Sequence, residues 1–160
     1  VITCQVESFT KNLAQLKPLL LGHWAELALD QDRVPLDPDW EIYLRKDAEG
    51  GILFVTVRDA GALVGYFVGF VGPGLHYRTC LTLQMDVFFL HPDFREGDSL
   101  QQVEGEVIAE NLFGEVQRAA KARGVQRMFV GSKLHKDVSA LFERLGYIEV
   151  ERYFTFWVGG

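Results

Sequence analysis

The chain has 160 residues, 48% of them apolar and 24% charged, and a formal net charge of −6. That length suits one domain with its own core, so residues 1–160 are expected to form a single unit. The negative balance disfavours a non-specific grip on nucleic acid, which needs Lys and Arg to displace counterions from phosphates. No apolar run reaches the ~18 residues of a membrane span. Cys4 and Cys80 lie far apart, show no paired Cys/His spacing for zinc, and follow no signal-peptide pattern. They predict two buried thiols in a reducing, cytoplasmic setting, with no metal, nucleic-acid or membrane partner.

In chain order, Ile2 to Val6 reads as a strand, and Ser8 or Thr10 can cap the helix after it. Leu13, Leu16, Leu20, Trp24 and Leu27 recur at helical spacing, with Pro18 expected to split or kink the run. Asp30 to Asp39 is a loop and Trp40 to Arg45 a short helix. Ile52 to Arg58 and Ala62 to Val71 pair through the turn at Asp59-Ala60-Gly61, and Gly72-Pro73-Gly74 ends the second strand. Thr79 to Leu90 is a long strand, and Leu100 to Arg123 a long helix stopped by Gly124. A strand at Arg127 to Gly131, a helix at Asp137 to Leu145 and one or two strands within Tyr147 to Val158 complete the pattern. The order β-α-α-β-β-β-α-β-α-β predicts a mixed α/β (α+β) fold, a mixed sheet flanked by helices.

The most informative segment is Met85-Asp86-Val87-Phe88-Phe89-Leu90-His91-Pro92-Asp93-Phe94-Arg95, an apolar strand that stops at a proline. A carboxylate near its start and an arginine just past its end suggest a ligand site where backbone groups leave the sheet.

Four pieces then carry a resemblance. They are Gly61-Ala62-Leu63-Val64-Gly65-Tyr66, Leu90-His91-Pro92-Asp93-Phe94-Arg95, Ala120-Lys121-Ala122-Arg123-Gly124-Val125, and Ser139-Ala140-Leu141-Phe142-Glu143-Arg144-Leu145-Gly146-Tyr147. In this order they resemble the GNAT superfamily of acyl-coenzyme-A-dependent N-acyltransferases. The segment Val71 to Cys80 is further similar to GNAT-like proteins of tailed phages, which would place the protein in the host cytoplasm. The resemblance implies six to seven strands and about four helices, with strands 4 and 5 splayed around the cofactor.

It also implies roles. Acetyl-coenzyme A would lie along Phe88, Phe89 and Leu90, its phosphates near Arg95, Gly97, Asp98 and Ser99, with Ser132 and Lys133 beside it. Asp86 would serve as base or amine anchor. Phe142 stands where the family often has a proton-donating tyrosine, so His135, Tyr147, Ser132, Ser139 or water would supply the proton. Tyr66, His76 and Tyr77 would line the site of an amine acceptor, either a small molecule or a protein.

The phosphate loop departs from the family pattern. After Arg95 the glycine of "R-x-x-G-x-G/A" falls one place early, and roughly eight or nine residues near Leu100 to Ile108 look inserted. Counting from Gln102 instead places Gly105 correctly but puts Val107 at the last small position. Glu96, Asp98, Glu104 and Glu106 lie where a diphosphate would bind. Two unit charges ~5 Å apart repel by about 3 kcal/mol at an effective dielectric of 20. Two readings follow: an acetyltransferase whose insert extends the helix with a solvated acidic face, or a non-catalytic module that binds a partner protein through residues 96–110. The terminal segment Tyr153 to Trp157 offers an edge for a homodimer.

Overall fold

The computed structural model describes the backbone of residues 1–160 and every side chain except that of Ser99. Its elements are β1 (Ile2–Val6), α1 (Phe9–Leu27), α2 (Trp40–Ala48), β2 (Ile52–Asp59), β3 (Ala62–Gly74) and β4 (Tyr77–Leu90). A single 3-10 turn (Pro92–Phe94) follows, then α3 (Ser99–Ala122), β5 (Arg127–Phe129) and α4 (Ser139–Arg144). The sheet order is β1-β2-β3-β4-β5, antiparallel except for the parallel β4–β5 pair.

Alternation along the strands divides two cores. Leu53, Val55, Val57, Phe67 and Leu83 face α3 and α4, where they meet Leu112, Phe113, Val116 and Phe142. Ile52, Phe54, Tyr66, Val68 and Phe89 face α1 and α2, where they meet Phe9 and Leu16. Each fully buried large apolar side chain contributes ~1.5–3 kcal/mol, so burying both faces fixes the register. The tight turn between β2 and β3 needs positive φ at two successive residues, and Ala60 and Gly61 supply it at 48° and 87°.

Three expectations change. The sheet has five strands rather than six to seven, because Tyr147 to Gly160 forms no ladder. Phe154 and Phe156 there are 93% and 84% exposed. A strand needs a neighbour to take its backbone bonds, and β5 offers an edge of only three residues. Pro18 does not break α1, since it and Ala14, whose carbonyl loses its helical partner, are both exposed to solvent. Gly72-Pro73-Gly74 does not end β3 but pairs with the start of β4, lengthening the hairpin. No helix among the described residues is long and apolar enough to cross a membrane.

Candidate active site

The site begins with a break in the β3–β4 register. Val68 pairs with Val87, but Gly69 pairs with Met85, leaving Asp86 as the extra residue of a bulge. A bulge interrupts alternation and re-aims side chains. Met85 and Phe88 therefore pack toward α3, while both Asp86 and Val87 turn toward α1 and α2. The Tyr43 hydroxyl on α2 donates to Asp86 Oδ2 at 2.5 Å, and among the described residues Oδ1 accepts from none. Burial pushes the Asp86 carboxyl up, against the Tyr43 hydrogen bond, which pulls it down. Burial, then the bond to Asp86, holds the Tyr43 hydroxyl far above the usual range.

Beside this pair, Tyr66 on β3 is completely buried and shares a 2.9 Å hydrogen bond with His23 Nδ1 on α1. The His23 ring stacks on Phe89 at 4.9 Å. Burial lowers the His23 pKa from 6.5 to about 4, against the upward pull of Glu26 and with further lowering by Lys133 and Arg95. His23 is thus neutral at pH 7.

The neighbouring edge of β4 is open. β5 pairs with it only over Thr82, Leu83 and Gln84, so from Met85 to Leu90 the described residues place no strand on that side. A ligand with amide groups can bond to such an edge.

At the end of this slot, Arg95 Nε donates to the Leu90 carbonyl at 2.7 Å, and the guanidinium pairs with Glu26 of α1 and with Glu96. Lys136, in the β5–α4 link, meets Glu26 at 3.1 Å and Glu96 at 3.3 Å.

The insert is helix. α3 starts at Ser99 behind a capping box in which Asp98 accepts from the Gln101 amide and the Gln101 side chain accepts from that of Asp98. Gln102 Nε2 reaches the Gly97 carbonyl at 3.2 Å. The acids go separate ways: Glu96 to the cations, Asp98 to the cap, Glu106 to Arg144 of α4 at 3.6 Å, and Glu104 to the rim of a groove beneath β1.

Asp86, Tyr66 and Phe89 are brought together on the α1/α2 face of the β3–β4 pair, while the Leu90 side chain packs in the α3 core and its carbonyl takes Arg95. Other expected residues lie elsewhere. His76 and Tyr77 sit at the far end of β4, roughly 30 Å of strand from Asp86 at about 3.3 Å per residue, where Arg127 lies over the Tyr77 ring. Phe88 and Phe142 both pack on Phe113 inside the α3 core. Tyr147, on that same side, accepts from Gln117 at 3.1 Å, and burial pushes its hydroxyl up.

His135 Nε2 meets the Leu27 carbonyl at the end of α1 at 3.0 Å, so that nitrogen carries the hydrogen. Ser132 is bonded to Asp137 and to the Val138 amide, while Lys133 is exposed beside it. The Asp98 side chain and the Gly97 carbonyl bond within the start of α3, and the Ser99 side chain lies outside the described residues. Tyr43, Glu26 and Lys136 escaped the sequence reading, because their contacts join residues far apart in the chain and no local motif marks them. A groove of about 730 Å³ between β1 and α3, lined by Cys4 and Val107, contains none of the expected site residues.

For coenzyme A, the open β4 edge suits an amide-bearing arm, and Arg95 and Lys136 have the chemistry for phosphate. Both cations already bind carboxylates, and among the described residues no fully buried side-chain nitrogen or oxygen lacks a partner.

No family model matches the chain, and no curated protein matches it by sequence. Solved structures match along its length. One is a ribosomal-protein-alanine N-acetyltransferase from Brucella melitensis biovar Abortus 2308, at 17% identity and TM-score 0.65, covering 100% of this chain and 99% of that one. Another is an aminoglycoside acetyltransferase from an uncultured soil metagenomic sample, at 14% and 0.68, covering 99% of each. A third is a predicted acetyltransferase with acetyl-CoA from Clostridium acetobutylicum, at 13% and 0.63, covering 99% of this chain and 97% of that one. At these identities the likeness is one of fold: the chain has the mixed α/β fold of the GNAT acetyltransferases, built here on five strands.

Proposed function

We propose that the protein is an N-acetyltransferase that uses acetyl-coenzyme A to acetylate a primary amine on a small molecule. The observation that carries this reading is Asp86, placed by the bulge beside the open β4 edge, with Oδ2 held by Tyr43 and Oδ1 available. Acetyl-coenzyme A would supply a thioester whose acyl carbon accepts an amine. Asp86 Oδ1 would take the proton that the amine gives up as its nitrogen bonds to that carbon, and the C–S bond would break to release coenzyme A as its thiolate. A carboxyl raised by burial suits a base better than an ordinary one. The free edge from Met85 to Leu90 orients the amide-bearing arm, and Arg95 and Lys136 meet the phosphates. His135 and Tyr147 hold structural bonds, so we assign the thiolate's proton to solvent.

Full-length likeness to acetyltransferases on ribosomal-protein-alanine and aminoglycoside amines supports an amine acceptor. The rival reading, a partner-binding module on residues 96–110, is weakened because Glu96, Asp98 and Glu106 are each bonded within the chain.

The test is release of free thiol from acetyl-coenzyme A in the presence of a panel of primary amines, with binding followed by melting temperature. A ligand at 100 times its Kd stabilises by about 2.7 kcal/mol. The expected result is a melting shift in millimolar acetyl-coenzyme A, with turnover lost in Asp86→Asn while the shift remains. Neither shift nor turnover would overturn the reading.

A further inference from the structure

The two cations at the slot come from opposite lips. Arg95 follows the end of β4 through the 3-10 turn, and Lys136 lies in the link after β5. Glu26 reaches both from the last turn of α1, and Glu96 reaches both from beside Arg95. Arg95 and Glu26 are largely covered, at 19% and 22% exposure. A carboxylate in the last turn of a helix is disfavoured by the helix dipole, and α1 has no basic residue there to offset it. Glu26 is therefore held in place by the two cations rather than by its own helix. A second tie spans the same gap, from His135 Nε2 to the Leu27 carbonyl.

We infer that Glu26 and Glu96 form a clasp across the mouth of the slot, occupying Arg95 and Lys136 as the phosphates of an acyl donor would, so that the donor binds by displacing Glu26. This rests on the acetyltransferase reading. Guanidinium and ammonium groups each donate to carboxylate and to phosphate oxygens, so one anion can replace the other without rebuilding the site. Displacement frees the end of α1 from the β5–α4 link, coupling donor binding to a widening of the slot.

The test is calorimetric titration of wild type, Glu26→Gln and Lys136→Met with coenzyme A, and with pantetheine, which lacks the phosphates. Glu26→Gln should bind coenzyme A on the order of ten-fold more tightly, the loss of one competing charge-assisted contact. Lys136→Met should bind it more weakly, and pantetheine affinity should be the same in all three. Glu96→Gln, at a more exposed position, should tighten binding in the same direction and serves if Glu26→Gln fails to fold. Coenzyme A affinity that is unchanged or weaker in both glutamine variants overturns the clasp and leaves the acetyltransferase reading standing. No binding of coenzyme A or pantetheine by any of the proteins overturns both.

Discussion

The Tyr43 hydroxyl donates to Asp86 Oδ2 at 2.5 Å, tying helix α2 to the bulge in β4. This bond is the resolved influence that lowers the Asp86 carboxyl, against burial, which raises it. Tyr43→Phe should therefore raise that carboxyl further. Because Asp86 titrates above its ordinary value in the folded protein, the folded state holds its proton more tightly. Stability from this group thus falls as pH rises through the window above 3.8. The variant extends that window upward. Denaturant unfolding should show a loss of about 1.5–3 kcal/mol at pH 7 and a smaller one near pH 4, where a larger share of the carboxyl is protonated than at pH 7. Equal losses at the two pH values would separate Tyr43 from the ionisation of Asp86.

His23 gives the opposite slope. Its pKa falls from 6.5 to about 4 on folding, chiefly through burial. The unfolded chain therefore binds the extra proton first, and stability is lost as pH drops from 6.5 toward 4. The difference corresponds to about 3 kcal/mol at most. His23→Gln, which can still bond to the Tyr66 hydroxyl, should flatten the curve across that interval. A variant with the wild-type acid slope would mean that other groups carry it.

Most of the fold was legible because its signals are local. The apolar, β-branched run of 52–57, the turn at Ala60-Gly61 and the capping residue Ser8 each sit within a few positions of what they specify. Asp86 stood out within the strand motif Met85 to Arg95, and Tyr66 was singled out through the family resemblance. The bulge that aims Asp86 was not legible, since a bulge is a mismatch between two strands and neither strand alone records it. Tyr43, Glu26 and Lys136 were missed for the same reason, their partners being brought near only by the packing of α1 and α2 on the sheet. His76 and Tyr77 lie far from Asp86 because β4 starts at Tyr77 and carries Asp86 in its second half. Of the two readings of the phosphate loop, the structure matches the one in which the insert extends the helix: Asp98 caps α3, Glu96 and Glu106 enter ion pairs, and Glu104 lines the groove beside β1.

The capping box at the start of α3 yields a third expectation. Asp98 accepts from the Gln101 amide at 3.0 Å, one of four amides that a helix start leaves without a helical partner. Asp98→Ala should destabilise the protein by about 1 kcal/mol, while Asp98→Asn or Asp98→Ser should recover most of that. If the carboxylate instead obstructs an anion at this helix start, Asp98→Asn would also tighten coenzyme A, a result that calorimetry separates from the change in melting temperature.

Two glycines in one helix should respond to the same substitution with opposite signs. Gly to Ala in a helix interior is worth ~1 kcal/mol in favour of the helix. At Gly114 an added Cβ meets nothing within 4 Å, so Gly114→Ala should stabilise by about that amount. At Gly105 the Cβ would lie 2.6 Å from the Phe94 carbonyl oxygen and 2.7 Å from Arg95 Cα. Both are backbone atoms of the segment leaving β4, so relief requires moving that segment and α3 apart. Overpacking of this kind costs ~1–3 kcal/mol, and Gly105→Ala should be destabilised by about 1–2 kcal/mol after the helical gain is set against it. The shift would also carry Arg95 away from Glu26, so the melting-temperature loss in Gly105→Ala should shrink when Glu26 is already Gln. A stabilised Gly105→Ala would show that α3 does not need the close approach, and that the glycine resembling the family's loop has no packing role in this chain.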